Sequence, residues 1–175
     1  PRDGGTIRMA TERLDFGSGS GAAARHLARA LASGGGKLTC VDISEKWQEC
    51  ARAELAAYQN VEFRLGDIFS AGVEDSAYDV VFIHFVLHDI PPAARGEVVK
   101  ALAGKLNRNG QIYLREPVRM GYGLEPEELR LYMDAAGLMQ ESFRLEKVFF
   151  KDSFRAVFSR RKSFQEQMEE FARGG

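Results

Sequence analysis

Apolar runs alternate with amphipathic stretches along almost the whole chain, and their spacing predicts the elements. Arg13 to Phe16 reads as a short buried strand. Ala22 to Ala32, rich in alanine and leucine, reads as a helix that Gly34-Gly35-Gly36 breaks. A second strand runs from Lys37 to Ile43 (KLTCVDI), after which Ser44 is placed to N-cap a helix reaching about Tyr58. Val61 to Leu65 forms a third strand, ended by Gly66-Asp67. Tyr78 to Phe85 (YDVVFIHF) is nearly continuously apolar, the pattern of a strand buried on both faces of a parallel sheet.

Pro91-Pro92 opens the next helix, since proline is tolerated at a helix start, and that helix runs to about Leu106. Asn109-Gly110 predicts a turn into the strand Gln111 to Arg115. Glu125 to Ala136 is a further helix, closed by Gly137 as C-cap. Two strands follow with no helix between them, Glu141 to Phe149 and Phe154 to Arg160, joined by Lys151-Asp152-Ser153 as a hairpin. This alternation predicts an α/β parallel sheet with helices on both faces, to which the hairpin adds an antiparallel strand.

Composition changes this picture little. The 175 residues, 45% hydrophobic and 28% charged, suit one soluble globular domain with a full core. Lysine plus arginine (24) nearly balances aspartate plus glutamate (25), so no general attraction to nucleic acid or membrane is expected. No apolar run approaches membrane-spanning length and no stretch reads as a signal peptide. The two cysteines, Cys40 and Cys50, give neither a disulfide framework nor a C-x-x-C metal site. A cytoplasmic location with no bound metal is therefore expected. The sequence begins at Pro1 rather than Met, so it is read as trimmed or as one module of a longer protein.

The candidate chemistry starts at LDFGSGSG, Leu14 to Gly21. In an open α/β sheet, ligands bind at the carboxyl ends of the strands. A glycine-rich turn there, Gly17, Ser18, Gly19 and Gly21, lets the backbone approach a ligand closely. Gly17 to Ala22 also spells the G-x-G-x-x-A of dinucleotide enzymes, so the loop alone does not choose a ligand. Asp42 ends the second strand, where a carboxylate can accept from both hydroxyls of a ribose or simply sit at the surface. Two features break the tie, Asp15, two residues before the first glycine, and Leu65-Gly66-Asp67-Ile68 at the end of the third strand. A pyrophosphate disfavours the Asp15 carboxylate, whereas a ligand with a cationic amino acid end tolerates it. Asp67, after the third strand, can accept from an adenine amino group while Ile68 packs on the ring.

D-x-G-x-G-x-G, Asp42, GDIF at Gly66 to Phe69 and YDVVFIHFVLHDI together resemble a class I S-adenosylmethionine (SAM) methyltransferase over Arg13 to Arg160. Ala136-Gly137-Leu138 and the closing hairpin resemble the family's C-terminal pattern too. The resemblance implies a Rossmann-like, doubly wound, mostly parallel seven-stranded sheet with a C-terminal antiparallel hairpin. It also implies SAM as methyl donor, with S-adenosylhomocysteine (SAH) as product. Gly17, Gly19 and Gly21 would face the methionine part, and Asp42 would hold the ribose. Ile43 and Ile68 would sandwich the adenine, Asp67 would take its amino group, and His84 would lie against SAM.

Past the fourth strand the chain reads HFVLHDI, similar to the His-Asp segment of small-molecule O-methyltransferases, in which the histidine is the general base. His88 would then deprotonate an acceptor hydroxyl, with an acidic residue fixing its tautomer. Alternatively His88 caps the following helix or lines the cofactor pocket. His26 reads as a surface residue. Glu116 either faces the acceptor or pairs with Arg115 or Arg119. Two features depart from those enzymes: the region before the first strand is small, and so is Val118 to Leu124, where the fold often carries an acceptor lid. The acceptor side is therefore expected to be open, and the asparagine-proline motif for amino-group methylation is absent.

Residues 1–160 thus read as a catalytic domain and 161–175 as a tail whose Phe164, Met168 and Phe171 form one helical stripe. That stripe packs back on the domain or docks a second subunit, so a homodimer or partner through the N-terminal region or the tail is an open expectation. The leading reading is a methyltransferase acting on a small molecule. The alternatives are a non-catalytic SAM-binding domain within a larger assembly and a nicotinamide-dependent oxidoreductase.

Overall fold

The computed structural model describes residues 11–118, 123–148 and 151–161, with the single positions Met168 and Ala172. Strands β1 (Glu12–Phe16), β2 (Lys37–Asp42), β3 (Val61–Leu65), β4 (Tyr78–His84), β5 (Leu106–Pro117), β6 (Leu138–Val148) and β7 (Lys151–Arg160) form one sheet in the order β3-β2-β1-β4-β5-β7-β6. Neighbours among β1 to β5 run parallel, and β7 pairs antiparallel with both β5 and β6. The seven-stranded, mostly parallel architecture read from the sequence is thus the observed one. The hairpin folds its second strand inward, so that β7 rather than β6 meets the parallel block.

Side-chain alternation gives the sheet two different faces. Leu38 and Cys40 of β2 pack under helices α1 (Ala22–Ala32) and α2 (Glu45–Glu54), with Ala24, Ala28, Leu31, Ala51 and Leu55. Leu14, Val81, Ile83, Ile112, Leu114 and Phe154 point the other way, under α3 (Pro92–Lys105) and α4 (Pro126–Ala135). Helix α2 begins as expected, with the Ser44 hydroxyl accepting from Trp47 N–H. It ends at Glu54 rather than Tyr58, because Leu55 leaves helical geometry and a tighter turn follows, Tyr58 N–H donating to Leu55 O.

Further boundaries differ from the sequence reading, among them the start of β6 at Leu138 rather than Glu141. Strand β5 starts at Leu106, not Gln111, and Asn109-Gly110 marks an irregularity within it. There Asn107 Nδ2 donates to Asp79 Oδ1 and Asn109 N–H to Asn107 Oδ1, holding out the extra residues as β4 advances only from Tyr78 to Val80. Lys151-Asp152-Ser153 lies inside β7 rather than in the hairpin turn, since Ser153 pairs with Pro117 and Glu146. Strand β4 stops at His84, because Phe85 takes a left-handed φ of 58°. A single 3₁₀ turn, Leu87–Asp89, then leads to Pro91 and Pro92 at the start of α3.

Phe164 and Phe171, and with them the stripe assigned to the tail, lie outside the described residues, as does Arg119. Met168 is half exposed. None of the described helices is long and apolar enough to cross a membrane.

Candidate active site

The carboxyl ends of β1 to β4 surround an open cavity of about 680 Å³, walled on its far side by the start of α3. Both Gly17 N–H and Ser18 N–H donate to Val41 O, tying the glycine turn to the end of β2. Gly17 and Gly19 line the cavity, and both have φ in the left-handed region that favours glycine. A Cβ on Gly17 would lie 2.5 Å from Val86, so the turn is wedged against the segment after β4, whereas one on Gly19 would meet no atom within 4 Å. Gly21 serves packing instead. Its missing Cβ would stand 3.1 Å from Ala51 of α2, and it is absent from the cavity wall.

Asp42 closes the turn from the other side. Its Oδ2 accepts from Gly19 N–H and its Oδ1 from Ser44 N–H, both at 2.8 Å. Each carboxylate oxygen carries a further lone pair, so these bonds orient Asp42 without exhausting its acceptors. Ile43, next in sequence, is 76% exposed at the cavity mouth. Asp67 also reaches the wall, and its Oδ1 accepts from the Ser70 hydroxyl and from the N–H groups of Ser70 and Phe69. The Ser70 bonds hold its carboxyl below the usual carboxylate range, so it is ionised and fixed in place.

Other residues assigned from the sequence sit differently. Ile68 borders the cavity but is 1% exposed, its side chain belonging to the core beneath α3. Ser18 and Asp15 lie beneath the turn. Burial, with Asp42 adding repulsion, pushes the Asp15 carboxyl from 3.8 up to about 7, and its Oδ2 has no hydrogen-bond partner among the described residues. His84 is not on the cavity wall. Its ring packs 4.5 Å from that of Phe85, and burial lowers its pKa. His26 is exposed on α1.

The sequence reading missed several wall residues: Phe16, Trp47, Phe69, Phe85, Val86 and Ile90. For Trp47 and Phe69 a signal existed. Each is a large apolar side chain within a few residues of a strand end, and both are more than half exposed. The described wall carries three aspartates, Asp42, Asp67 and Asp89, and no lysine, arginine or histidine. Such a lining suits a ligand with positive charge and an apolar planar ring, and offers a pyrophosphate no counter-charge. An adenosyl ligand with a cationic amino acid end therefore fits the residues present.

On the β5 side, Glu116 is fully buried. Its Oε1 accepts from Val86 N–H and Leu87 N–H at 2.9 and 2.8 Å, and its Oε2 lies 2.7 Å from His88 Nδ1. This carboxylate gathers the segment after Phe85 into its 3₁₀ turn and takes up the proton-bearing side of the imidazole. It thereby selects the tautomer in which His88 Nε2 is the basic nitrogen. The Glu116 hydrogen bond raises the His88 pKa above the usual imidazole value, against the opposing effect of burial. Nε2 stands 3.4 Å from Asp89 Oδ1. Glu116 thus pairs with His88 rather than with Arg115, which meets Glu146; Arg119, the other arginine foreseen, lies outside the described residues. The long-range partner of His88 was not recoverable from local spacing, since it lies 28 residues away.

Comparison with known proteins agrees with this geometry. Residues 14–110, more than half of the chain, match the family model for a methyltransferase domain. The chain belongs to that family, and its sheet is that of the class I SAM-dependent methyltransferases. It is 32% identical over 85 residues to the demethylmenaquinone methyltransferase of Staphylococcus aureus, a match covering 49% of this chain and 35% of that protein. The chain thus spans about a third of the length of the curated relatives it matches. A SAM-dependent methyltransferase of Aquifex aeolicus superimposes with a TM-score of 0.68 at 18% identity, over 87% of this chain and 85% of that one. The magnesium protoporphyrin IX methyltransferase of Synechocystis, with bound SAM, gives 0.71 at 23% identity, over 89% and 72%.

Proposed function

We propose that the protein transfers a methyl group from SAM to a small-molecule acceptor, with the adenosyl group held between β2, β3 and the start of α3. The observation carrying this reading is the cavity itself: a glycine turn clamped by Asp42, an ionised Asp67, apolar walls and no lining cation among the described residues. Asp42 would accept from the ribose hydroxyls, Ile43 with Trp47 or Phe69 would cover the adenine, and Asp67 would accept from its amino group. Asp15 beneath the turn would favour the cationic end of the ligand. SAM brings an activated methyl on a sulfonium, so the protein's main task is to align the acceptor with it.

The acceptor atom is oxygen in this reading, with His88 as base. Glu116 holds Nδ1, and Nε2 takes the hydroxyl proton as the oxygen attacks the methyl carbon and the sulfonium leaves as the SAH thioether. His88 lies off the cavity wall, beside the end of β5, where an acceptor would approach from the side opposite the adenine. A second reading is favoured by the burial of its ring, 13% exposed: His88 is a brace that, with Glu116, fixes the turn after β4. Substitution separates the two. As a base, His88→Ala abolishes turnover and leaves SAM affinity nearly unchanged. As a brace alone, it leaves residual methyl transfer while lowering thermal stability.

The first test is calorimetric titration with SAM, SAH and NAD side by side. Binding of the first two without NAD supports the reading. Binding of NAD alone overturns it in favour of a nicotinamide enzyme.

A further inference from the structure

We propose that Arg95, which is not on the cavity wall, is the positioning residue that sets the α3 side of the cofactor cavity and the turn carrying His88. It stands in the first turn of α3, and only 7% of its surface is exposed. Its Nε donates to Ile90 O at 2.9 Å and its Nη2 to His88 O at 3.1 Å, while Nη1 meets Glu128 Oε1 of α4 at 2.9 Å. Glu128 Oε1 also accepts from the Tyr132 hydroxyl, so the anion is itself held.

The two carbonyls flank Asp89, and Asp89, Ile90 and Pro91, the residues that lead into α3, all line the cavity wall. The chain turns there from a 3₁₀ segment into a helix that opens on two prolines, so its carbonyls have few backbone donors within reach. A guanidinium presents several donors in one rigid plane, enough to bind two carbonyls and a carboxylate at once, which an ammonium on a flexible stem does not reproduce. Arg95 therefore fixes the backbone on both sides of Asp89 to α3 and, through Glu128, to α4. The chemistry proposed for His88 and Glu116 makes no use of these carbonyls. This inference rests on the reading of the cavity as the SAM site.

The test is SAH calorimetry on the parent, Arg95→Met, Arg95→Lys and Glu128→Gln, alongside thermal melts, at a temperature where each chain is folded. Under that condition stability alone does not alter the affinity, because the competent fraction stays near unity. Arg95→Met is expected to weaken SAH at least about tenfold, and Arg95→Lys to recover part of that loss. Glu128→Gln keeps both carbonyl bonds, so it lowers Tm but leaves SAH affinity within about twofold. SAH binding by Arg95→Met within twofold of the parent overturns the assignment, as does a weakening that simply follows Tm across all three variants. Should Arg95→Met fail to fold, Arg95→Lys and Glu128→Gln decide by the same criterion. A parent that does not bind SAH overturns the cavity reading itself, an outcome distinct from a binding parent whose variants are unaffected.

Discussion

The two halves of the sheet make their sites in different ways. At the ends of β1 to β3, each polar group at the cavity lies within a few residues of its strand, and backbone bonds hold it. Gly17 and Ser18 N–H reach Val41 O, Asp42 accepts from Gly19 and Ser44, and Asp67 accepts from Phe69 and Ser70. At the ends of β4 and β5, side chains distant in sequence hold the backbone instead. Glu116 reaches back 30 residues to Val86 and 28 to His88, and Arg95 reaches forward 33 to Glu128. The first half is a backbone cradle fixed by local geometry. The second is a loop whose shape depends on a few buried charges. Substitutions should therefore change binding in the first and stability together with proton chemistry in the second.

The largest effect expected is on stability, from Glu116→Ala. It would orphan two backbone N–H groups, one of them fully buried, and remove the partner of His88, at a cost of about 3 kcal/mol or more. At this size that corresponds to a fall in Tm of very roughly 10 °C, read by a thermal melt. Glu116→Gln keeps the volume and should lower the His88 pKa toward the usual imidazole value, followed by NMR titration of the ring. If His88 is the base, the same change would move the rising, acidic limb of the methyl-transfer profile to lower pH, because a base works only when neutral. A loss below about 1 kcal/mol in Glu116→Ala would show that the turn is held by other means.

Next comes a pair that tests the contrast directly. Asp42→Ala should weaken both SAM and SAH by on the order of 30- to 100-fold, since it removes the proposed ribose acceptor and releases Gly19 N–H. His88→Ala should change neither by more than about twofold, because the imidazole lies outside the cavity wall. Equal losses in the two variants would break the division into cradle and loop.

Asp15 gives a pH-dependent effect of intermediate size. Its carboxyl is raised from 3.8 to about 7, so the folded chain holds a proton that the unfolded chain releases over that range. The stability this proton gives is complete below pH ~4 and is lost as pH rises through about 7. Asp15→Asn should then be more stable than the parent at pH 8, by on the order of 1–3 kcal/mol, with the advantage vanishing near pH 4. Parallel melts across pH test this, and identical curves would place the ionised carboxylate in a better-solvated setting. The parent's affinity for SAM should also rise with pH near neutrality more than its affinity for SAH, because only SAM carries the sulfonium charge.

The same contrast explains how far the sequence could be read. The strand–helix order, the glycine turn, Asp42 and Asp67 were legible because spacing along a single element determines them. The unforeseen Phe85 conformation was not, since a left-handed φ on an aromatic residue contradicts its local preference and is maintained from outside. Phe85 N–H donates to Arg115 O, and the next two N–H groups donate to Glu116. The resemblance puts Ile68 on the adenine ring face, whereas its side chain belongs to the core beneath α3 and only borders the cavity. Asn109-Gly110 was read as a turn because its composition is that of one. Pairing on both sides absorbed it as a bulge instead.

The smallest effect should separate two glycines that one motif joins. Gly19 and Gly21 both have positive φ, of 52° and 83°, so alanine at either carries the left-handed strain of about 1 kcal/mol. At Gly21 the new methyl would also press on Ala51 Cα at 3.1 Å and Leu55 at 3.3 Å, between α1 and α2. At Gly19 it would touch nothing within 4 Å and would occupy cavity space instead. Gly21→Ala is therefore expected to lower Tm more than Gly19→Ala while leaving SAH affinity closer to that of the parent. Gly19→Ala should lower SAH affinity several-fold with a Tm change of only a few degrees. The reverse order would mean that the third glycine, not the second, approaches the ligand, and that the α1–α2 contact yields more readily than its close packing suggests.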